Sequence, residues 1–250
     1  MTVKKLVLLT NDDGFHAPGI TVLRETIGDK WDTVLVAPDR ERSAASHALT
    51  LNRPLRVNRI DERTMAVDGT PTDCVMLSIM GLLERKPDLV ISGINSGANL
   101  GDDVIYSGTV AGAAEAVILG VPSLAVSFVD PGETEFEKGA KIAITVAGEI
   151  FKNTLPKGVF LNVNIPPSFD SRSFEVTRLG NRSYRDVIVK KTDPRGRPYY
   201  WIAGQPETWR GAENCDFAAI DRGNISITPL HLDMTAGHVM DEIATWTFGG

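Results

Sequence analysis

The chain has 250 residues, 42% of them hydrophobic, and a formal net charge of −6. That length suits one or two domains with a sizeable core, and the negative charge argues against a nucleic-acid polymer as partner. Two cysteines, Cys74 and Cys215, are too few for a disulfide framework and neither has a metal-type neighbour, so a reducing compartment is expected.

At the N-terminus "LVLLT" is too short for a signal-peptide core. The longest apolar stretch, residues 116–129, is interrupted by Gly120 and Pro122. No membrane span is therefore expected, and a cytoplasmic location is the default. Residues 5–9 ("KLVLL") predict a buried strand: short, continuous, apolar and ended by polar residues. Ile20, Leu23 and Ile27 have helical spacing within residues 19–28. A second buried strand spans 33–38, and 55–60 with 64–69 form a small hairpin. Residues 72–83 fit a helix with Thr72 or Asp73 near its cap. Further strands are expected over 88–93, 123–128 and 159–166. Helices are expected over 109–120, with Gly120 as stop signal, and over 135–151. Buried strands alternating with helices imply βαβ units and a mainly parallel sheet.

The pattern changes after about residue 167. "SFEVTRLG", "YRDVIVKK" and "PYYWIAG" are strand-like, and "DPRGR" is a plausible hairpin tip. The expected organisation is a catalytic core over 1–167 and, over 168–250, a β-rich arm with C-terminal elements packing on the core. The arm carries Tyr199, Tyr200 and Trp201 and reads as a subunit contact or as an ordinary surface hairpin.

In an open parallel sheet, ligands bind beyond the carboxyl ends of the strands. The first strand delivers Asn11, Asp12, Asp13 and Gly14. The second delivers Asp39, Arg40, Ser43, Ser46 and His47. The third delivers Asn95, Ser96, Asn99, Asp102, Asp103, Ser107 and Thr109. Adjacent carboxylates repel, and carboxylates, amides and hydroxyls together suit Mg²⁺ or Mn²⁺, with Ca²⁺ less specific. Taken alone, Asp12 and Asp13 read equally well as a solvated turn with one helix-capping carboxylate. That alternative weakens once the other two strand ends prove as polar. Ser107, Gly108 and Thr109 open a helix, where unpaired N–H groups attract an anion such as phosphate; a simple Ser/Thr cap is the competing reading. Small residues at 111–114 would let that helix lie close to the sheet. The glycines at 93, 97 and 101 lack dinucleotide-binding spacing, and "GAKIAIT" is not a phosphate-loop motif. A metal beside a bound phosphate implies phosphoryl chemistry. Asp12 or Asp13 would orient or deprotonate a metal-activated water, or form an aspartyl-phosphate.

"TNDDG", "AP" followed by Ser43 and Ser46, "DGTPTDCV", the block from 87 to 115 ("PDLVISGINSGANLGDDVIYSGTVAGAAE") and "VTRLGNRSY" together resemble the SurE family of survival-protein nucleotidases. The resemblance runs over essentially the whole chain, and the 87–115 block is its most specific part. It implies a Rossmann-like three-layer α/β/α core whose C-terminal β-elements exchange between subunits of a homodimer or homotetramer. It also implies a metal-dependent phosphatase of nucleoside 5′- and 3′-monophosphates, in some members active on short polyphosphate. By position, the metal ligands fall on Asp12, Asp13, Ser43 and Asn95. Phosphate- and substrate-binding groups fall on Asn11, Asn99, Ser107, Gly108 and Thr109, with Asp12, Asp13, Asn99 and Ser107 as the catalytic set. The proton for the leaving alkoxide comes from water or from His47. A receiver-like signalling domain fits poorly, because Asn95 stands where a phospho-accepting aspartate is needed and "VSFVDPG" has no lysine. A non-catalytic metal or nucleotide sensor on the same scaffold is the remaining alternative.

Overall fold

The computed structural model describes residues 4–131, 135–170, 172–184, 188–202 and 206–247. The central strand β1 (Leu6–Thr10) is buried throughout. Its side chains alternate between faces. Val7 and Leu9 join one core cluster, while Leu6 and Leu8 join another. Each fully buried Leu or Val contributes roughly 1.5–3 kcal/mol, so a strand apolar on both faces is stable only between two layers.

Helices supply those layers. On one side α1 (Pro18–Ile27) turns Ile20, Leu23 and Ile27 to the sheet, as their spacing predicts. Beside it lies α4 (Phe136–Asn153), and the rings of Trp31 and Phe151 meet edge to face at 5.2 Å. On the other side are α2 (Pro71–Leu77) and α3 (Gly108–Ile118). The small residues of α3 allow close approach: a Cβ on Gly112 would stand 2.8 Å from Ser92 Oγ. The helix expected over 72–83 keeps α-helical form only to Leu77 and continues as a π turn over Ser78–Leu82. Its cap is Thr70 rather than Thr72 or Asp73. Pro71 occupies the first helical position, and Asp73 completes a capping box by accepting from Thr70 N at 2.9 Å.

The remaining strands are β2 (Asp32–Pro38), β3 (Val57–Arg59), β4 (Thr64–Val67), β5 (Leu89–Ser96), β6 (Ser123–Phe128), β7 (Val159–Ile165), β8 (Phe174–Val176), β9 (Asn181–Tyr184), β10 (Ile188–Thr192), β11 (Pro198–Ile202), β12 (Pro206–Arg210) and β13 (Ile225–His231). Eight of them join β1 in one sheet, in the order β3-β4-β2-β1-β5-β6-β7-β13-β8. From β4 through β7 all neighbours are parallel, while β3 and β13 run antiparallel to β4 and β7. The predicted three-layer α/β/α core is the observed architecture. The chain leaves β1 toward β2 and β4, then returns to add β5 on the other side, so the crevice beyond β1 and β5 is a topological switch point.

Sequence patterning missed β13, whose alternation is broken by Pro229. The strand tolerates it because β8 pairs only with residues 225–227, leaving the β8-facing edge open at Pro229. The short helix α5 (Asp216–Asp221) was missed too. The predicted hairpin is present: β10 and β11 pair antiparallel from Ile188↔Ile202 to Thr192↔Pro198, with residues 193–197 at the tip. Residues 185–187 of "YRDVIVKK" and 203–204 of "PYYWIAG" lie outside the described residues. No helix among the described residues is long and apolar enough to cross a membrane.

Candidate active site

Beyond the carboxyl ends of β1, β2 and β5 lies a cleft of about 460 Å³. Asp12, Asp13, Ser43, Asn95, Asn99 and Ser107 all line it. Thr10 is the last residue of β1, so the two aspartates have left the strand and its alternating geometry. Asn11 makes that exit. Its side-chain amide donates to Gly14 O at 2.9 Å and accepts from Gly14 N at 3.2 Å, closing a turn in which Gly14 adopts φ +100°. Asn11 is thereby buried behind the cleft and shapes the loop instead of lining the wall.

Asp12 is held from behind. Thr109 Oγ1 donates to Asp12 Oδ1, and the backbone of Thr109 also bonds the carboxylate. Gly108 packs against it so closely that a Cβ there would be 2.8 Å from Asp12 Cβ and Oδ2. The first turn of α3 is thus directed at Asp12, with Ser107 as its N-cap accepting from Val110 N at 3.1 Å. Of the three residues expected at a phosphate, Ser107 reaches the cleft wall while Gly108 and Thr109 stand behind it. A serine that caps through a lone pair keeps its hydroxyl hydrogen to donate outward.

The electrostatics are one-sided. Burial raises the Asp12 carboxyl above its ordinary value, opposed by the Thr109 hydrogen bonds. Asp13 is pushed up to about 6, by burial first and by the charge of Asp12 second; Ser96 N–H, 3.5 Å from Oδ2, works weakly against this. The charges acting on both are other carboxylates, including Glu41. Ser43 Oγ donates to Glu41 Oε1 at 2.6 Å. Asn95 ties its amide nitrogen to Gly97 O at 2.9 Å, leaving its oxygen as the end suited to a ligand. Among the described residues no three His, Cys, Asp or Glu side chains form a ready cation cage. The donors here are instead two carboxylates with a neutral hydroxyl and a neutral amide. That all-oxygen set, with buried Asp12 beside half-buried Asp13 and no side-chain cation acting on either among the described residues, has the chemistry of a hard divalent ion site.

Glu41 escaped sequence reading because it sits between two arginines in "RERS", a pattern typical of a solvated surface. Tyr106 also lines the cleft. His47, considered for proton delivery, turns toward α3: its Nε2 lies 2.8 Å from Oε2 of buried Glu115. That contact belongs to a strap over residues 39–50. Within it Ala44 and Ser46 adopt positive φ, and it is fastened by Arg42 N to Asp12 O at 2.7 Å and by Ser46 Oγ to Ile105 O at 2.7 Å. Strained non-glycine backbone persists where surrounding contacts over-determine it, and here it carries Ser43 into the cleft.

The family model described as Survival protein SurE matches residues 7–186. The chain belongs to the SurE family. A SurE relative from Pelobacter propionicus, named 5′-nucleotidase SurE, is 51% identical over 245 residues, covering 97% of this chain and 99% of the relative. Another of the same name, from Geobacter sulfurreducens, is 49% identical over 243 residues, covering 96% and 93%. The crystal structure of a SurE protein from Aquifex aeolicus matches with a TM-score of 0.85 at 44% identity, covering 95% of this chain and 98% of that one.

Proposed function

We propose that this protein is a divalent-metal-dependent phosphatase hydrolysing nucleoside 5′-monophosphates, with 3′-monophosphates and short polyphosphate as further substrates. The observation that carries the proposal is the un-neutralised Asp12–Asp13 pair at the switch point, in a chain whose SurE relatives bear the name 5′-nucleotidase. Asp12, Asp13, Ser43 and Asn95 are the ligands of one Mg²⁺ or Mn²⁺ ion per subunit. When bound, such an ion supplies positive charge to the phosphoryl oxygens and lowers the pKa of a coordinated water.

The protein's own groups do the rest. Asp12 is held in place by Thr109 and Gly108. Asp13, on the cleft wall, orients the attacking water and accepts its proton. Ser107 donates its hydroxyl hydrogen to a phosphoryl oxygen. Asn99 spends one amide hydrogen on Ser127 Oγ at 2.7 Å, and its second remains for the phosphoryl group. With His47 engaged by Glu115, water is the proton source for the leaving alkoxide. The assembly is a homodimer or homotetramer built through the β10–β11 hairpin, where Trp201 is 59% and Ile202 83% exposed. A two-stranded hairpin is marginal in water by itself.

The deciding experiment measures inorganic phosphate released from AMP with Mn²⁺ or Mg²⁺. Activity is expected to vanish in excess EDTA and return with metal. Asp13→Asn is expected to lower turnover by at least about 10²-fold with an unchanged far-ultraviolet spectrum. Full turnover by metal-free protein refutes the metal role. Metal-dependent AMP binding without phosphate release identifies a sensor instead.

A further inference from the structure

On the face of β7 toward α3, Asn162 and Asn164 occupy two successive inward positions and both are fully buried. The same strand presents Val163 and Ile165 to the opposite layer. A buried strand ordinarily takes apolar residues at such positions, because a buried amide costs stability unless it is hydrogen-bonded. Three of the bonds that satisfy this pair converge on one residue. Asn162 Nδ2 donates to Asn99 O at 2.9 Å, Asn164 Nδ2 donates to the same oxygen at 3.0 Å, and Asn99 N donates to Asn164 Oδ1 at 2.9 Å. Both peptide groups flanking the Asn99 Cα are thus gripped by side chains of one strand. Two residues along, Gly101 N donates to buried Asp216 Oδ2 at 2.7 Å.

We infer that Asn162 and Asn164 are positioning residues for phosphoryl transfer: they fix the Asn99 backbone so that its side chain stays on the cleft wall. This rests on the phosphate role proposed for Asn99 and extends it to residues that do not line the cleft. Asn162 Oδ1 has no hydrogen-bond partner among the described residues, so the fold gains less from this amide than from a satisfied one. A group kept in the interior at that disadvantage is explained by what it holds.

The test measures kcat and KM for AMP, Mn²⁺ affinity by calorimetry and melting temperature for Asn162→Val, Asn164→Asp, Asn99→Ala and the Asn99→Ala/Asn162→Val double variant. Asn162→Val is expected to fold with an unchanged or higher melting temperature and to bind Mn²⁺ normally. Its kcat is expected to fall about tenfold, and Asn164→Asp, where it folds, to lose more. In the Asn99→Ala background the Asn162→Val loss is expected to disappear, as it must for residues acting as one unit. A lowered melting temperature with unchanged kcat in Asn162→Val assigns the pair to folding and overturns the inference. Losses that multiply in the double variant overturn it as well. Full activity of Asn99→Ala refutes the phosphate role itself, separately from either result.

Discussion

Asp13 is pulled toward protonation by its site, and that has a consequence for the metal-free protein. The folded chain keeps the proton to about pH 6, whereas an unperturbed aspartyl group releases it near 3.8. Folding therefore takes up a proton between those values, so this contribution is complete below about pH 4 and is lost as pH rises through 6. Solvent screening at this partly exposed group holds its size to roughly 1–2 kcal/mol. Asp88 has the opposite sign. Burial raises it, but hydrogen bonds from Leu6 N, Lys5 and Arg85 bring it below 3.8, so its contribution is lost as pH falls. Comparing EDTA-treated wild type with Asp13→Asn by calorimetry cancels such groups. The wild-type melting temperature, relative to the variant, is expected to drop between pH 4 and pH 7; parallel curves exclude the shift. At this scale the acidic pair was visible in the chain because the two residues are adjacent. Gly108 could be read as a helix start, but not as the surface on which the Asp12 carboxylate rests.

Among the elements, the strap over 39–50 shows what periodicity cannot supply. Its fastenings join residues far apart in the chain: Ser46 to Ile105, and His47 to Glu115. Glu115 is buried within α3, and its Oε1 has no hydrogen-bond partner among the described residues, which leaves His47 to satisfy the other oxygen. Removing the imidazole in His47→Ala strands the whole carboxylate, at a cost of about 1–3 kcal/mol. For a chain of this size that is a fall of roughly 2–10 °C in melting temperature, and thermal denaturation measures it directly. An unchanged melting temperature removes the pair from the fold's support. The strands and long helices were legible because their apolar residues repeat with the period of their own element. The start of α2 and the existence of β13 were not. The first depends on Pro71 and the reciprocal cap with Thr70; the second is a strand whose proline is tolerable only because its neighbour is short.

At the scale of the molecule, strand order could be read only in part. Alternating strands and helices implied a parallel sheet, and the polar strand ends implied where a ligand would sit. The return of the chain across β1 and the insertion of β13 between β7 and β8 are pairings at long sequence separation, which no local pattern encodes. The β10–β11 hairpin belongs to this scale too. If it joins copies of the chain, replacing Trp201 and Ile202 together by glutamate places charge on the shared surface. The mass measured by light scattering is then expected to fall to that of a smaller species; an unchanged mass excludes this hairpin as the contact.

The insertion of β13 has a temporal meaning. During synthesis the aspartates of the cleft emerge well ahead of Asp216, which anchors the loop bearing Asn99, and of β13, which pairs with β7. A nascent chain therefore carries its acidic pair long before it owns a finished cleft.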